Sequence, residues 1–325
     1  MQSRKAFAER SCPVPGVMLF GLILVGGMGC ENSFDPKGAY TEQLAVYSIL
    51  SSRSDTQYVR VYRTYNPSGF NPLENTSDTP VQNAQVTLTE GSNEYQLKDT
   101  TIQRVDKSRY TDDLHAYVGY PFALQRGRVY TLTVRSDRGN VNASVSVPGP
   151  GRIDANNAFV MAEPERFRDD ISLTIRISPV TRGYLVRIYL DFEYLDRGNW
   201  VLRRAEVPFS VSAGSDGAPI LVYPRLTQRR MDLIVSAEPV DFSLAAYQAL
   251  LTQLEQQYGQ QGFRPVSATF ILTQVENNLY KYYNIVNGFQ DEYSIRTDLP
   301  DFSNIRGGVG LFGAMTDDST VVDLR

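Results

Sequence analysis

The most constraining feature of this chain is the strict alternation from Leu185 to Leu195. Val186, Ile188, Leu190, Phe192 and Tyr194 share one face, and Arg187, Asp191 and Glu193 share the other. Successive side chains of an extended strand point to opposite sides, so this pattern requires one buried and one solvated face. The period of two recurs along the chain. Leu44–Leu50 reads as a first strand. Thr56–Tyr65 sets Val59 and Val61 against Tyr58, Arg60 and Tyr62, and Asn83–Thr89 groups Ala84, Val86 and Leu88. Tyr130–Val134 and Val141–Val147 flank Asp137–Asn140, which predicts a hairpin closed by those four residues. Ile171–Ile177 and Ser267–Thr273 add strands. Strands of this length and spacing predict a mainly β chain of antiparallel sandwiches.

Helical spacing intrudes twice. Asp241 or Ser243 can cap a helix over 243–258, whose apolar stripe is Tyr247, Leu250, Leu251, Leu254 and Tyr258, with Gly259 or Gly262 to stop it. A second helix is predicted over 276–289, with Leu279, Tyr282, Tyr283, Val286 and Phe289 in register. Pro148-Gly-Pro-Gly151 interrupts any sheet, because each proline removes a backbone donor and fixes φ. The expected organisation is an Ig-like β-sandwich over 39–147, a linker at 148–151, and a β-rich domain with the two helices over 152–325.

The N-terminus carries an address. Arg4, Lys5 and Arg10 precede an apolar run from Val17 to Gly29, and polar sequence begins after Cys30. The run is short against the roughly 20 residues of a spanning helix and suits a signal-peptide core. A cysteine at the junction resembles a bacterial lipoprotein signal over 1–29, cleaved before Cys30 and acylated on its sulfur, with 30–38 as the lipidated tether. Gly27 stands where that pattern usually has leucine. An ordinary secretory signal followed by a free cysteine, and a retained anchor, are the alternatives. Cys12 and Cys30 are the two cysteines, so cleavage would leave one sulfur and no internal disulfide. Stable attachment requires more than one acyl chain, which triacylation of Cys30 would supply. The formal net charge is −4, and loss of the leader makes the chain more acidic. With no basic run, nucleic acid is not an expected partner, and membrane contact is expected through the lipid alone.

Phe302-Ser-Asn-Ile-Arg-Gly-Gly-Val-Gly-Leu-Phe-Gly-Ala314 resembles the closing motif of the domain-of-unknown-function 4249 family of Bacteroidetes-type lipoproteins. Leu44–Leu50, Tyr58–Tyr62, Val81–Leu88 and Tyr280–Tyr283 are similar to further segments of that family, so the resemblance spans nearly all the mature chain. It implies an outer-membrane lipoprotein, often associated with a TonB-dependent transporter, with no catalytic residues to carry over. The anchor cysteine transfers onto Cys30. Glu31–Asp35 resembles the acidic signals that send some lipoproteins to the cell surface; which face of the membrane the chain occupies stays open.

The candidate chemistry is sparse. Gly308-Val-Gly-Leu-Phe-Gly313 has the spacing of a dinucleotide loop but lacks the downstream helix and acid, and a close-packed turn and final strand is the expected role. His115 is the sole histidine, expected in a solvated loop, and the chain holds no Gly-x-Ser-x-Gly elbow. The pairs Asp112–Asp113, Asp169–Asp170 and Asp317–Asp318 are expected in solvated loops, with calcium at one of them left open. The chain has 20 tyrosines and 1 tryptophan. Trp200, Tyr58, Arg60 and Tyr62 are the candidate binding face, since exposed aromatics can stack on sugars or anchor a partner. The expectation is a non-enzymatic envelope protein without cofactor or metal. Its partner is a TonB-dependent transporter or, alternatively, a surface glycan.

Overall fold

The computed structural model describes residues 40–66, 76–108, 110–214, 219–230, 237–259, 262–286 and 302–325. The leader, Cys30 and residues 287–289 of the expected second helix lie outside the described residues. The chain divides into Met1–Thr41 and Glu42–Arg325, and every element below lies in the second unit.

The strands of the first half are β1 (Leu44–Ser51), β2 (Gln57–Arg63), β3 (Gln85–Glu90), β4 (Asn93–Gln96), β5 (Lys98–Ile102), β6 (Leu114–Gly119), β7 (Val129–Ser136) and β8 (Gly139–Ser146). Then follow β9 (Arg152–Ala155), β10 (Ile171–Arg176), β11 (Thr181–Asp196), β12 (Asn199–Glu206), β13 (Ser210–Ala213), β14 (Pro219–Val222), β15 (Thr227–Gln228) and β16 (Ala237–Phe242). Helix α1 (Leu244–Tyr258), β17 (Phe263–Glu276), helix α2 (Asn277–Val286) and β18 (Val309–Asp323) complete the order. The protein is mainly β, with sandwiches in both halves, the first Ig-like in having two facing sheets, and two helices added to the second.

One sheet of nine strands, ordered β12-β11-β17-β18-β1-β2-β6-β5 with β15 beside β11, runs through both halves. Its inner face carries two separate cores. In the first half, Val46, Val59 and Val61 pack against Val86, Leu88, Leu132 and Val145 of the sheet β4-β3-β7-β8. In the second, Ile188, Leu190, Phe270 and Leu272 pack against Ile171, Leu173 and Ile175 of the sheet β16-β10-β9 and against Tyr247 and Leu250 of α1. The alternation that marked β11 in the sequence is the one that feeds this core.

The last strand departs from the sequence reading. The 152–325 division assigns the tail to the second domain, yet Ile305, Phe312 and Ala314 belong to the first core while Leu324 joins the second. β18 lies parallel to β1 from Val309 to Met315 and antiparallel to β17 from Met315 to Asp323. A parallel pairing of distant segments leaves no local turn signal, so spacing could not reveal it.

Local chemistry explains the remaining elements. Ser243 caps α1, its Oγ accepting from Ala246 N at 3.4 Å, and Asp170 Oδ1 accepts from Leu244 N at 3.0 Å. Gly259, at φ +83°, ends the helix. The β7–β8 hairpin is tighter than predicted, because Ser136 pairs with Gly139 and Asp137–Arg138 alone form the loop. In the β11–β12 hairpin Arg197 and Gly198 both take positive φ, the combination a two-residue turn of matching twist needs.

Candidate binding surface

The inner face of the large sheet is buried, so of its two faces only the outer one is open to another molecule. Alternation assigns the residues. On β18, Phe312 and Ala314 turn into the first core, while Leu311 and Met315 turn outward beneath α2 with Leu279 and Tyr280. On β1 the outward residues are Tyr47 and Ile49, exposed at 42% and 41%. On β2 they are Tyr58, Arg60 and Tyr62. Tyr47 stands opposite Arg60 in the ladder, and one step along Ile49 lies beside Tyr58, exposed at 48%. Helix α2 borders this patch, with the Tyr47 and Tyr282 ring centres 6.5 Å apart at 65°.

The three residues singled out on β2 have different surroundings. Tyr58 is exposed. Arg60 is half-buried and directs Nε and Nη2 to Tyr62 Oη at 3.0 and 2.7 Å, its guanidinium carbon 4.6 Å from the ring centre. Tyr62 itself is buried, and its hydroxyl donates to His115 O at 3.3 Å. Burial pushes the Tyr62 phenol above its ordinary value, and the Arg60 hydrogen bond and charge oppose the shift. Tyr62 is a fixed support for Arg60 rather than a contact residue.

Trp200 also points outward, opposite Leu195 at the start of β12, and is 42% exposed. The Arg264 guanidinium lies 4.0 Å from its ring centre and is held by Glu193, with Nε to Oε2 at 2.8 Å. Beyond it the face is a polar ladder. Arg204 donates to both oxygens of Asp191, which also accepts from Thr269. Burial opposes ionisation of Asp191, but the bonds from Arg204, Thr269 and Ser267 win and hold its carboxyl below the ordinary value. Four strands lie between β12 and β2, and the registers set Trp200 and Tyr58 toward opposite ends of the sheet, so they share the face far more than about 24 Å apart. They form two patches, not one.

At least one carboxylate of each pair is held by a protein group. Asp113 meets Lys107 at 3.0 Å. Asp170 caps α1. Asp317 is bonded by Arg53, and Asp318 by Arg126 at 2.6 Å and by Gly151 N at 2.8 Å. Among the described residues no three His, Cys, Asp or Glu side chains gather as a metal site. His115 lies on β6, not in a solvated loop, with Nδ1 3.0 Å from Asp99 Oδ1 and without the alignment of a hydrogen bond. Sequence reasoning missed Gln274. It sits fully buried in the apolar row of β17, accepting from Ser178 N and Thr181 Oγ1 and donating to Gly149 O and Asp318 Oδ2. Its one signal was an amide where alternation called for an aliphatic residue.

The glycine motif of the tail is structural. Gly310 takes φ +122°, and a Cβ there would fall 2.0 Å from Val46 O. Asn304 brackets the strand opposite, donating Nδ2 to Phe312 O at 2.8 Å and accepting from Phe312 N at 2.9 Å. The residues that set this close parallel approach lie within a match, over residues 31–320, to the family described as Domain of unknown function (DUF4249). The chain belongs to the DUF4249 family. No curated protein matches it. Among solved structures, this DUF4249 chain is similar to a crystal structure of titin domains at 9% identity and a TM-score of 0.17, over 86% of this chain and 65% of that one. A second titin structure is similar at 8% identity and a TM-score of 0.19, over 87% and 97%. Likeness at these scores says nothing of what a DUF4249 protein binds.

Proposed function

We propose that this DUF4249 protein is a non-enzymatic lipoprotein, anchored in the outer membrane through Cys30, that holds a rigid β surface against an envelope partner, a TonB-dependent transporter. The observation that carries the reading is the outer face of the nine-stranded sheet, where Tyr47, Ile49 and Tyr58 stand exposed on neighbouring strands. Rigid aromatics on a strand framework contribute large contact area at small entropic cost, as protein contact sites require. The basic, apolar and small-residue leader before Cys30 supports export and acylation. Among the described residues no helix is long and apolar enough to cross a membrane.

The test is cross-linking in native membranes followed by purification of the full chain. Recovery of a transporter with the wild type, and its loss with Tyr58→Glu plus Ile49→Glu, is the expected result. Recovery unchanged by the double variant would remove the face from the account. Intact-mass analysis of the native product tests the anchor, and an unmodified Cys30 thiol would overturn it.

The second reading, a glycan-binding module, rests on Trp200. Arg264 fixes its ring while a large part stays in solvent, the arrangement in which an aromatic can stack on a sugar. A glycan array probed with wild type and Trp200→Ala decides it; absence of any wild-type signal ends this reading.

A further inference from the structure

Half of β18 has no neighbour on one side. From Val309 to Met315 it is flanked by β1, and β17 pairs with it as far as Asp323. At Ser51, however, β1 ends and the chain turns back into β2. Met315 O accepts from Ser52 N at 3.4 Å, Asp317 N donates to Ser52 Oγ at 2.9 Å, and Arg126 reaches Asp317 O. These bonds identify which residues turn their backbone groups toward the β1 side. By the strand period of two, Ser319, Val321 and Asp323 follow. Among the described residues nothing takes the N–H and C=O of Ser319 and Val321 on that side.

The same half of β18 roofs a groove of about 600 Å³, lined by Asp318, Ser319, Thr320 and Val322 above and by Gly151–Asn156, which hold β9, below. β9 is the outer strand of its own sheet. A strand laid on the track that β1 vacates would pair with Ser319–Asp323. Its alternate side chains would enter the groove, and the others would lie beside Val321, which is 62% exposed. We propose that this edge is a strand-addition site for an extended segment of a partner polypeptide, with the groove receiving its inward side chains.

Two observations select the occupant. The groove's carboxylates are already compensated, Asp318 by Arg126 and Asp154 by Arg152 and Arg176. It therefore suits short polar or small aliphatic side chains rather than a charged ligand. The free ladder spans only about 17 Å, too little to bury the surface that a stable dimer of this chain would need. A small molecule could fill the groove but would leave the backbone row unpaired, and an extended polypeptide satisfies both. The site is distinct from the Tyr47–Tyr58 patch, so failure of one leaves the other standing.

The experiment combines random-peptide display on the full chain with residue-resolved amide exchange. In the dilute free chain the Ser319 and Val321 amides should exchange fast. Selected peptides should slow both at least about tenfold, and Val321→Pro should weaken those peptides at least about tenfold. The proline removes an N–H that β17 does not use, so the unfolding temperature should stay near that of the wild type. If the variant fails to fold, exchange in the wild type decides alone. Protection of these amides in the dilute chain, protection that grows with chain concentration, or selected peptides that protect other amides would each overturn the proposal, as would a library that yields no binder.

Discussion

At the scale of single residues, two glycines with positive φ separate conformational cost from steric cost. A Cβ at Gly310 would lie 2.0 Å from Val46 O and 2.9 Å from Val46 N, whereas one at Gly91, at φ +57°, would meet nothing within 4 Å. Gly91→Ala should therefore cost about 1 kcal/mol, the penalty of the left-handed region alone. Gly310→Ala should cost about 3 kcal/mol or more, because β1 and β18 must also move apart. Urea unfolding of the two variants side by side checks this, and equal losses would mean that the β1–β18 approach is not tight. The same close approach explains why a motif with dinucleotide spacing has a different role here: its glycines admit a neighbouring strand, not a phosphate.

At the scale of elements, α2 is held at its start by a buried acid. Glu276 accepts from Asn278 N and Leu279 N, both at 2.7 Å, and is only 3% exposed. Burial raises its pKa, and the backbone donors only partly offset this. The folded chain therefore holds this proton to higher pH than the unfolded chain does. That contribution to stability is complete below the unfolded value near 4.5 and fades as pH rises through the folded one. Relative to Glu276→Gln, the wild type should lose stability across that window. Denaturant unfolding of both chains over a pH series reads the difference, and a difference that moves the opposite way refutes the assignment. Elements of this kind were partly legible in the sequence. Alternation in β11 and the Ser243 and Gly259 signals of α1 depend on neighbours within a few residues, so spacing carried them. The pairing of β18 with β1, the seating of the Tyr62 hydroxyl on His115 O of β6 and the Arg264 contact to Trp200 join residues far apart in the chain, and no local pattern encodes them. Tyr58, Arg60 and Tyr62 share a face as the period requires, but the period does not say which of them another element covers.

At the scale of the whole molecule, the large sheet and its last strand make two cores interdependent. Phe312 and Ala314 complete one core and Leu324 the other, so neither closes without the tail. A polar joint reinforces the link where the halves meet. Asp318 takes Arg126 from the first half, Gly151 N from the linker and Gln274 from β17. Removing this carboxylate strands a half-buried guanidinium and a buried amide at once, so Asp318→Ala should cost about 3 kcal/mol. A cut at 148–151 by sequence logic would sever two sandwiches that share strands, and a fragment over 39–147 would leave the inner face of β1 without Phe312. That fragment should not fold alone, and the intact chain should unfold in a single calorimetric transition that Asp318→Ala shifts downward without splitting. Two resolved transitions in the wild type, or a cooperative melt of the 39–147 fragment, would show that the halves are autonomous and that the tail strand merely rests between them.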